Sequence, residues 1–119
     1  MSARIGTMAT PSYIDCCAEP GLDWVLTLHQ STHDQETLLR CTACRAFWFH
    51  RFHEYADWAG GNDDLTSWYS RLTATEGERL RDSANPSGED LSFLRTRPSW
   101  MDDAQGIHQV EGAPDRPYS

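Results

Sequence analysis

Along residues 24–29 of this 119-residue chain the side chains alternate, with Trp24, Leu26 and Leu28 on one side and Val25, Thr27 and His29 on the other. A period of two predicts an extended strand. Ser31-Thr-His-Asp34 then supplies short polar side chains that bond back to the local backbone, and the chain returns from Glu36 to Cys41 as a second strand. Over residues 46–53 aromatics fall on both sides, Phe47 and Phe49 with Arg51 against Trp48 and Phe52 with His50. Such a pattern predicts a central strand covered on each face. Gly60-Gly-Asn-Asp-Asp64 is a dense turn signal inside a loop expected over 56–67, and Trp68-Tyr-Ser-Arg-Leu72 predicts one more short strand.

The period then changes. Thr73-Ala-Thr-Glu76 has the spacing at which a hydroxyl and a carboxylate satisfy each other's free backbone amides, so a helix is predicted from Ala74 to about Ser83. Gly77 weakens it and Asn85-Pro86 stops it. Ser87-Gly-Glu-Asp90 repeats the start signal before Leu91, Phe93 and Leu94, predicting a second helix that ends at Pro98. Residues 1–12 show no period and read as a flexible lead-in. Residues 101–119, with Gly106, Gly112, Pro114 and Pro117, read as a disordered or loosely docked tail.

What remains, residues 13–100, is one small domain. Four of the five tryptophans and three of the four phenylalanines lie between Trp24 and Leu80, so the core must be recruited there. A core of roughly 60 to 70 residues commonly needs a metal or a disulfide beside hydrophobic burial. Cys41-Thr-Ala-Cys44 meets that need, because two thiolates separated by two residues can close on one zinc ion through a tight turn. Cys16-Cys17, one hairpin upstream, can supply the other ligands. Neighbouring residues of an extended strand point to opposite sides, so either a turn toward Pro20-Gly21 brings both thiols inward, or one packs in the core and a histidine, His29 or His33, is the fourth ligand. Free or redox thiols and disulfides are the alternatives. The expected fold is α+β: a three- to four-stranded antiparallel sheet with a zinc knuckle, followed by two short helices over one face.

Eighteen acidic residues face ten basic ones, a net charge of −8, and every basic residue is arginine. Arginine without lysine suits a GC-rich bacterial coding sequence. A negative surface repels phosphate backbones and anionic lipid, so a basic protein is the expected partner, not nucleic acid or a membrane. No apolar run approaches the length of a membrane span or a secretory h-region, which leads to the expectation of a soluble cytoplasmic protein. His50 and His53 lie on opposite faces of a strand, and neither a nucleophile motif nor a Gly-rich phosphate loop accompanies them, so catalysis is not expected. Glu54 and Asp57 read as solvated charges, and so do Arg95 and Arg97 beside Trp100. Trp58 or Trp68, with Asp63 and Asp64 in the acidic loop, are the candidate partner-binding residues, because tryptophan buries much area at little entropic cost.

The span from Cys16 to Leu80 resembles zinc-ribbon domains, through Cys16-Cys17, Cys41-Thr-Ala-Cys44 and the strand after the second pair. With Trp68-Tyr-Ser-Arg-Leu-Thr-Ala-Thr-Glu76 it also looks like small stand-alone bacterial proteins, some of which are immunity proteins of toxin systems. The resemblance implies structural zinc and binding to nucleic acid or protein, and the charge selects protein. The expected function is a zinc-stabilised immunity or adaptor module. The alternatives are a thiol redox protein using Cys41 and Cys44, and a nucleic-acid-binding ribbon whose arginines form a local patch.

Overall fold

The computed structural model describes residues 10–56, 63–103 and 105–112. Among them six strands form one antiparallel sheet in chain order: β1 (Leu22–Gln30), β2 (Asp34–Cys41), β3 (Phe47–Ala56), β4 (Asp63–Arg71), β5 (Pro98–Asp103) and β6 (Gly106–Glu111). The connection from β4 to β5 holds a helix, α1 (Ala74–Arg81), and two single turns of 3-10 helix, Pro86–Gly88 and Ser92–Thr96.

This corrects the expected architecture of three or four strands followed by two helices. Leu91, Phe93 and Leu94 do not extend into an α-helix, because Gly88 and Pro98 bracket too short a stretch and only Leu94 is buried. Of the residues expected in the tail, 101–103 instead finish β5 and 106–111 form β6. An edge strand needs backbone partners on one side only, so β6 can leave Ile107 exposed and carry almost no hydrophobic signal. Backbone pairing also carries β4 back to Asp63, into the stretch expected as loop.

The aromatic strand is central, as its two-sided pattern demands. Leu39 pairs with Trp48 and Leu38 with Phe49, and on the other side Tyr69 pairs with His50 and Ser70 with Phe49. Alternation sends Phe47, Phe49 and Arg51 to one face. There they meet Leu38, Trp68, Leu72, Leu80 and Leu94 beneath α1 and the 3-10 turns. Trp48 and His50 go to the opposite face, where Leu22, Leu39, Cys41, Trp48 and Tyr69 are covered by residues 10–21 through Tyr13, Ile14, Cys16 and Cys17. In β1 the period of two is broken by register shifts, so Trp24 sits opposite Leu39 and Leu26 opposite Leu38, on different faces. The helix face also buries polar pairs, Glu36 with Arg51 at 2.7 Å and Asp34 with His53 at 2.6 Å. No helix among the described residues is long and apolar enough to cross a membrane.

The capping box forms as the spacing required. Thr73 Oγ1 accepts from the Glu76 amide at 3.1 Å, and a Glu76 carboxylate oxygen accepts from the Thr73 amide at 2.9 Å. The same carboxylate takes two bonds from Arg97, at 2.7 and 2.8 Å, which with the amide and side chain of Thr73 hold its pKa down at about 2. Gly77, a weak helix former, is there for contact: it lies on the Phe47 ring, and a Cβ at this position would overlap the ring and stand 2.6 Å from Phe47 Cβ. In an open helix Gly→Ala gains about 1 kcal/mol, whereas overpacking costs about 1–3 kcal/mol. Gly77→Ala is therefore expected to lower stability by about 1–2 kcal/mol in urea unfolding. A gain in stability would show that α1 can lift off the sheet.

Candidate metal centre

β2 ends at Cys41, and the chain reverses before β3 in a turn closed at both ends. Cys41 N–H donates to Ala46 O at 2.8 Å, and Arg45 N–H donates to Cys41 O at 2.9 Å. Arg45 takes a left-handed φ of 70°, the strained position that such a tight reversal requires. A second loop is stitched against this turn, since Thr42 N–H donates to Gly21 O at 2.8 Å. The approach is close: a Cβ on Gly21 would stand 3.0 Å from Thr42 Oγ1. Residues 16–19 are a bend, not a strand, so neighbouring side chains need not point to opposite faces. The bend answers the geometric objection to Cys16-Cys17.

The sulfurs of Cys16, Cys17, Cys41 and Cys44 all lie within 4.8 Å of one another, and four thiols so placed can hold a metal ion. Cys17 Sγ and Cys41 Sγ are 3.8 Å apart, and none of the four is in a disulfide. Burial runs from Cys41, fully inside, to Cys44, exposed. Burial pushes the Cys41 thiol up, but backbone hydrogen bonds from Cys44, Gly21 and Ala43, with the Cys16 thiol, outweigh it and bring the group down to about 6. Burial also raises Cys16, to about 12, against the Trp48 side chain, which pulls it down. Trp48 Nε1 is buried and has no partner in hydrogen-bonding geometry among the described residues. It acts on the Cys16 sulfur only by favouring the thiolate there.

The histidines stand apart from this cluster. His29 is on β1 opposite Glu36, and His33 pairs with Glu54 at 3.5 Å. His53 bonds Asp34 on the helix face. His50, on the cysteine face, stacks on Tyr69 with ring centroids 4.4 Å apart and reaches Ser67 Oγ at 3.2 Å.

Of the expected partner-binding residues, Trp68 is 6 % exposed and belongs to the core under α1. Asp57 and Trp58, with residues 59–62 of the acidic loop, lie outside the described residues. Asp63 and Asp64 are placed by their backbone at the start of β4. The tryptophan most open to solvent among the described residues is Trp24, 46 % exposed, beside the exposed Asp23. Sequence reasoning missed Trp24 because its alternation looked unbroken. It also missed Trp48 as the roof of the cysteine site, although Trp48 follows Cys44 by four residues, as the second residue of β3. Comparison with family models, with curated proteins and with solved structures gave no match.

Burial alone holds the His50 imidazole neutral, lowering its pKa from the ordinary 6.5 to about 4. Between those values the unfolded chain binds a proton that the folded chain refuses, so the stability is present above pH 6.5 and is lost as pH falls toward 4. The full effect is roughly 3 kcal/mol. His50→Gln should reduce proton uptake on unfolding by close to one between pH 6.5 and 4, measured by urea unfolding across that range with metal content checked at each pH. An unchanged slope would mean that His50 titrates normally in the folded protein.

Proposed function

We propose that the four cysteines hold one structural zinc ion, and that the chain is a cytoplasmic binding module, of the immunity or adaptor kind, which associates with a basic protein. The observation that carries the reading is the meeting of four thiols from two remote segments. Sulfurs arranged tetrahedrally at about 2.3 Å from zinc stand about 3.8 Å apart, the separation of Cys17 and Cys41. Backbone amides directed at Cys41 and the Trp48 N–H acting on Cys16 are what thiolate ligands need around them. Four protein ligands leave no open position for a reacting water, so the role of the ion is structural.

The partner follows from charge. A net charge of −8 attracts a basic surface, and the exposed carboxyl side chains of Asp15, Glu19 and Asp23 flank the cysteine loop near the exposed Trp24. Charges of this kind hasten encounter, while a tryptophan that becomes buried slows dissociation.

Protein purified without added metal should carry one zinc per chain by elemental analysis. Metal binding of this sort is folding free energy, on the order of 10 kcal/mol. Cys41→Ser or Cys17→Ser should thus abolish cooperative melting. A folded, metal-free protein would overturn the zinc reading, and reversible two-electron oxidation of Cys41 and Cys44 in that sample would favour thiol redox chemistry.

With a physiological partner in hand, the triple change Asp15→Asn, Glu19→Gln and Asp23→Asn should lower the association rate about tenfold at low salt and flatten its salt dependence. Trp24→Ala should chiefly raise the dissociation rate. Stopped-flow rates indifferent to salt would remove the basic partner.

A further inference from the structure

An open groove of about 940 Å³ lies between the Cys41–Cys44 turn and the first turn of α1. Arg40, Arg45, Arg71 and Arg97 all line it, four of the ten arginines in a chain of net charge −8. Arg97 is already neutralised by its two bonds to Glu76, and its Nη1 also donates to the Arg71 carbonyl at 3.0 Å, so it serves as a wall. Arg40, Arg45 and Arg71 meet no carboxylate among the described residues. Asp23 stands opposite Arg40 on β1 and lines a neighbouring hollow with Arg40 and Arg45, yet pairs with neither, so three guanidinium groups outside any ion pair share one concavity.

One of the three has its side chain held in position, and a second has its backbone fixed. Arg40 donates from Nε to the Arg45 carbonyl at 3.2 Å and lies over the Phe47 ring at 4.5 Å, which leaves its terminal nitrogens without a hydrogen bond among the described residues. Phe47 is itself fixed, 2 % exposed and pressed against Gly77. Arg45 is anchored by its backbone in the cysteine turn. Holding like charges together is unfavourable until a counter-charge arrives, and prior fixing removes part of the entropic cost of binding it. Thr73 and Ala74, at the positive end of the α1 dipole, form another wall.

We infer that this groove binds a compact phosphate-bearing anion. The planar fork of arginine matches phosphate oxygens two at a time. Size decides the class of ligand. Within a Debye length of about 8 Å a small polyanion feels chiefly the arginines, whereas a nucleic acid or an acidic protein would extend over the carboxylates elsewhere on the surface. The one aromatic ring in the groove, Phe47, is buried beneath Arg40 and offers no face on which a base could stack. The inference goes beyond the zinc reading and meets it at Arg45 and at Cys44, a proposed zinc ligand that also lines the groove.

The test is calorimetric titration of the full chain, as purified, with inorganic tripolyphosphate at 50 and 150 mM salt, with melting and zinc content measured on the same samples. The expected result is one saturable site with Kd below about 1 mM, weaker at higher salt. Arg71→Gln and Arg45→Gln should each weaken it about tenfold, while Arg81→Gln, an exposed arginine that pairs with Asp82 outside the groove, should leave it unchanged. Absence of saturable binding in folded protein would overturn the inference, as would an equal loss from Arg81→Gln. Tighter binding of a twelve-residue thymidine oligonucleotide than of tripolyphosphate would also overturn it, in favour of a nucleic-acid surface. Tripolyphosphate binding by folded, zinc-free protein would sink the metal reading and leave the groove standing.

Discussion

A sheet whose middle strand carries large aromatics on both faces must be covered twice, and the described residues hold one short α-helix with which to do it. α1 and the two 3-10 turns cover the face of Phe47 and Phe49. The other face, with Trp48 and Tyr69, is left to residues 10–21, a stretch with neither helix nor strand. Irregular chain makes a poor lid, because its backbone gains little from hydrogen bonding with itself and loses much entropy when fixed. Among the contacts that hold it here are Leu22 N–H on Thr10 Oγ1, Thr42 N–H on Gly21 O, the buried Ile14, Tyr13 packed between Tyr69 and Trp100 with its hydroxyl on Asp102, and the four thiols that join the lid to the end of β2. The thiols alone among these can be linked by a single strong centre. That places the cysteines in the economy of the whole fold, although they touch few of its residues.

The same partition explains which features could be read in advance. β2, the aromatic strand and the helix with its capping box were legible, because each has its own period or its own local hydrogen-bond logic, and β1 was legible as a strand although its register shifts were not. Thr73 and Glu76 need only each other to start a helix. The last two strands were not legible. Trp100 and Met101 form a strand because β4 offers a free edge, and residues 106–111 because β5 then offers another; neither fact is written in their composition. The four cysteines were legible as a set, while their convergence rests on a bend at residues 16–19 and a close pass of Gly21 by Thr42 that spacing does not disclose. The gathering of Arg40, Arg45, Arg71 and Arg97 was hidden for the same reason, since strand register and the placing of α1 bring them together.

Carboxylates are scattered over loops and edges, including those beside the cysteine lid, and arginines collect where the β2–β3 turn meets α1. Net charge describes how the molecule looks from afar, and the groove describes what a ligand finds at contact. One small molecule can therefore present opposite signs to partners of different size.

The meander also sets an order of events. With each strand paired to its neighbours in sequence, β1 and β2 can form a hairpin as soon as Cys41 has left the ribosome, and growth continues by adding one strand at a time. Cys17 is made 24 residues before Cys41, so the lid is synthesised before the turn that it meets. Throughout that interval its two thiols have no fixed companions. They are open to oxidation and to stray metal until the turn at Cys44 is complete, which makes the speed of the first hairpin the chain's own protection against being sealed in the wrong state.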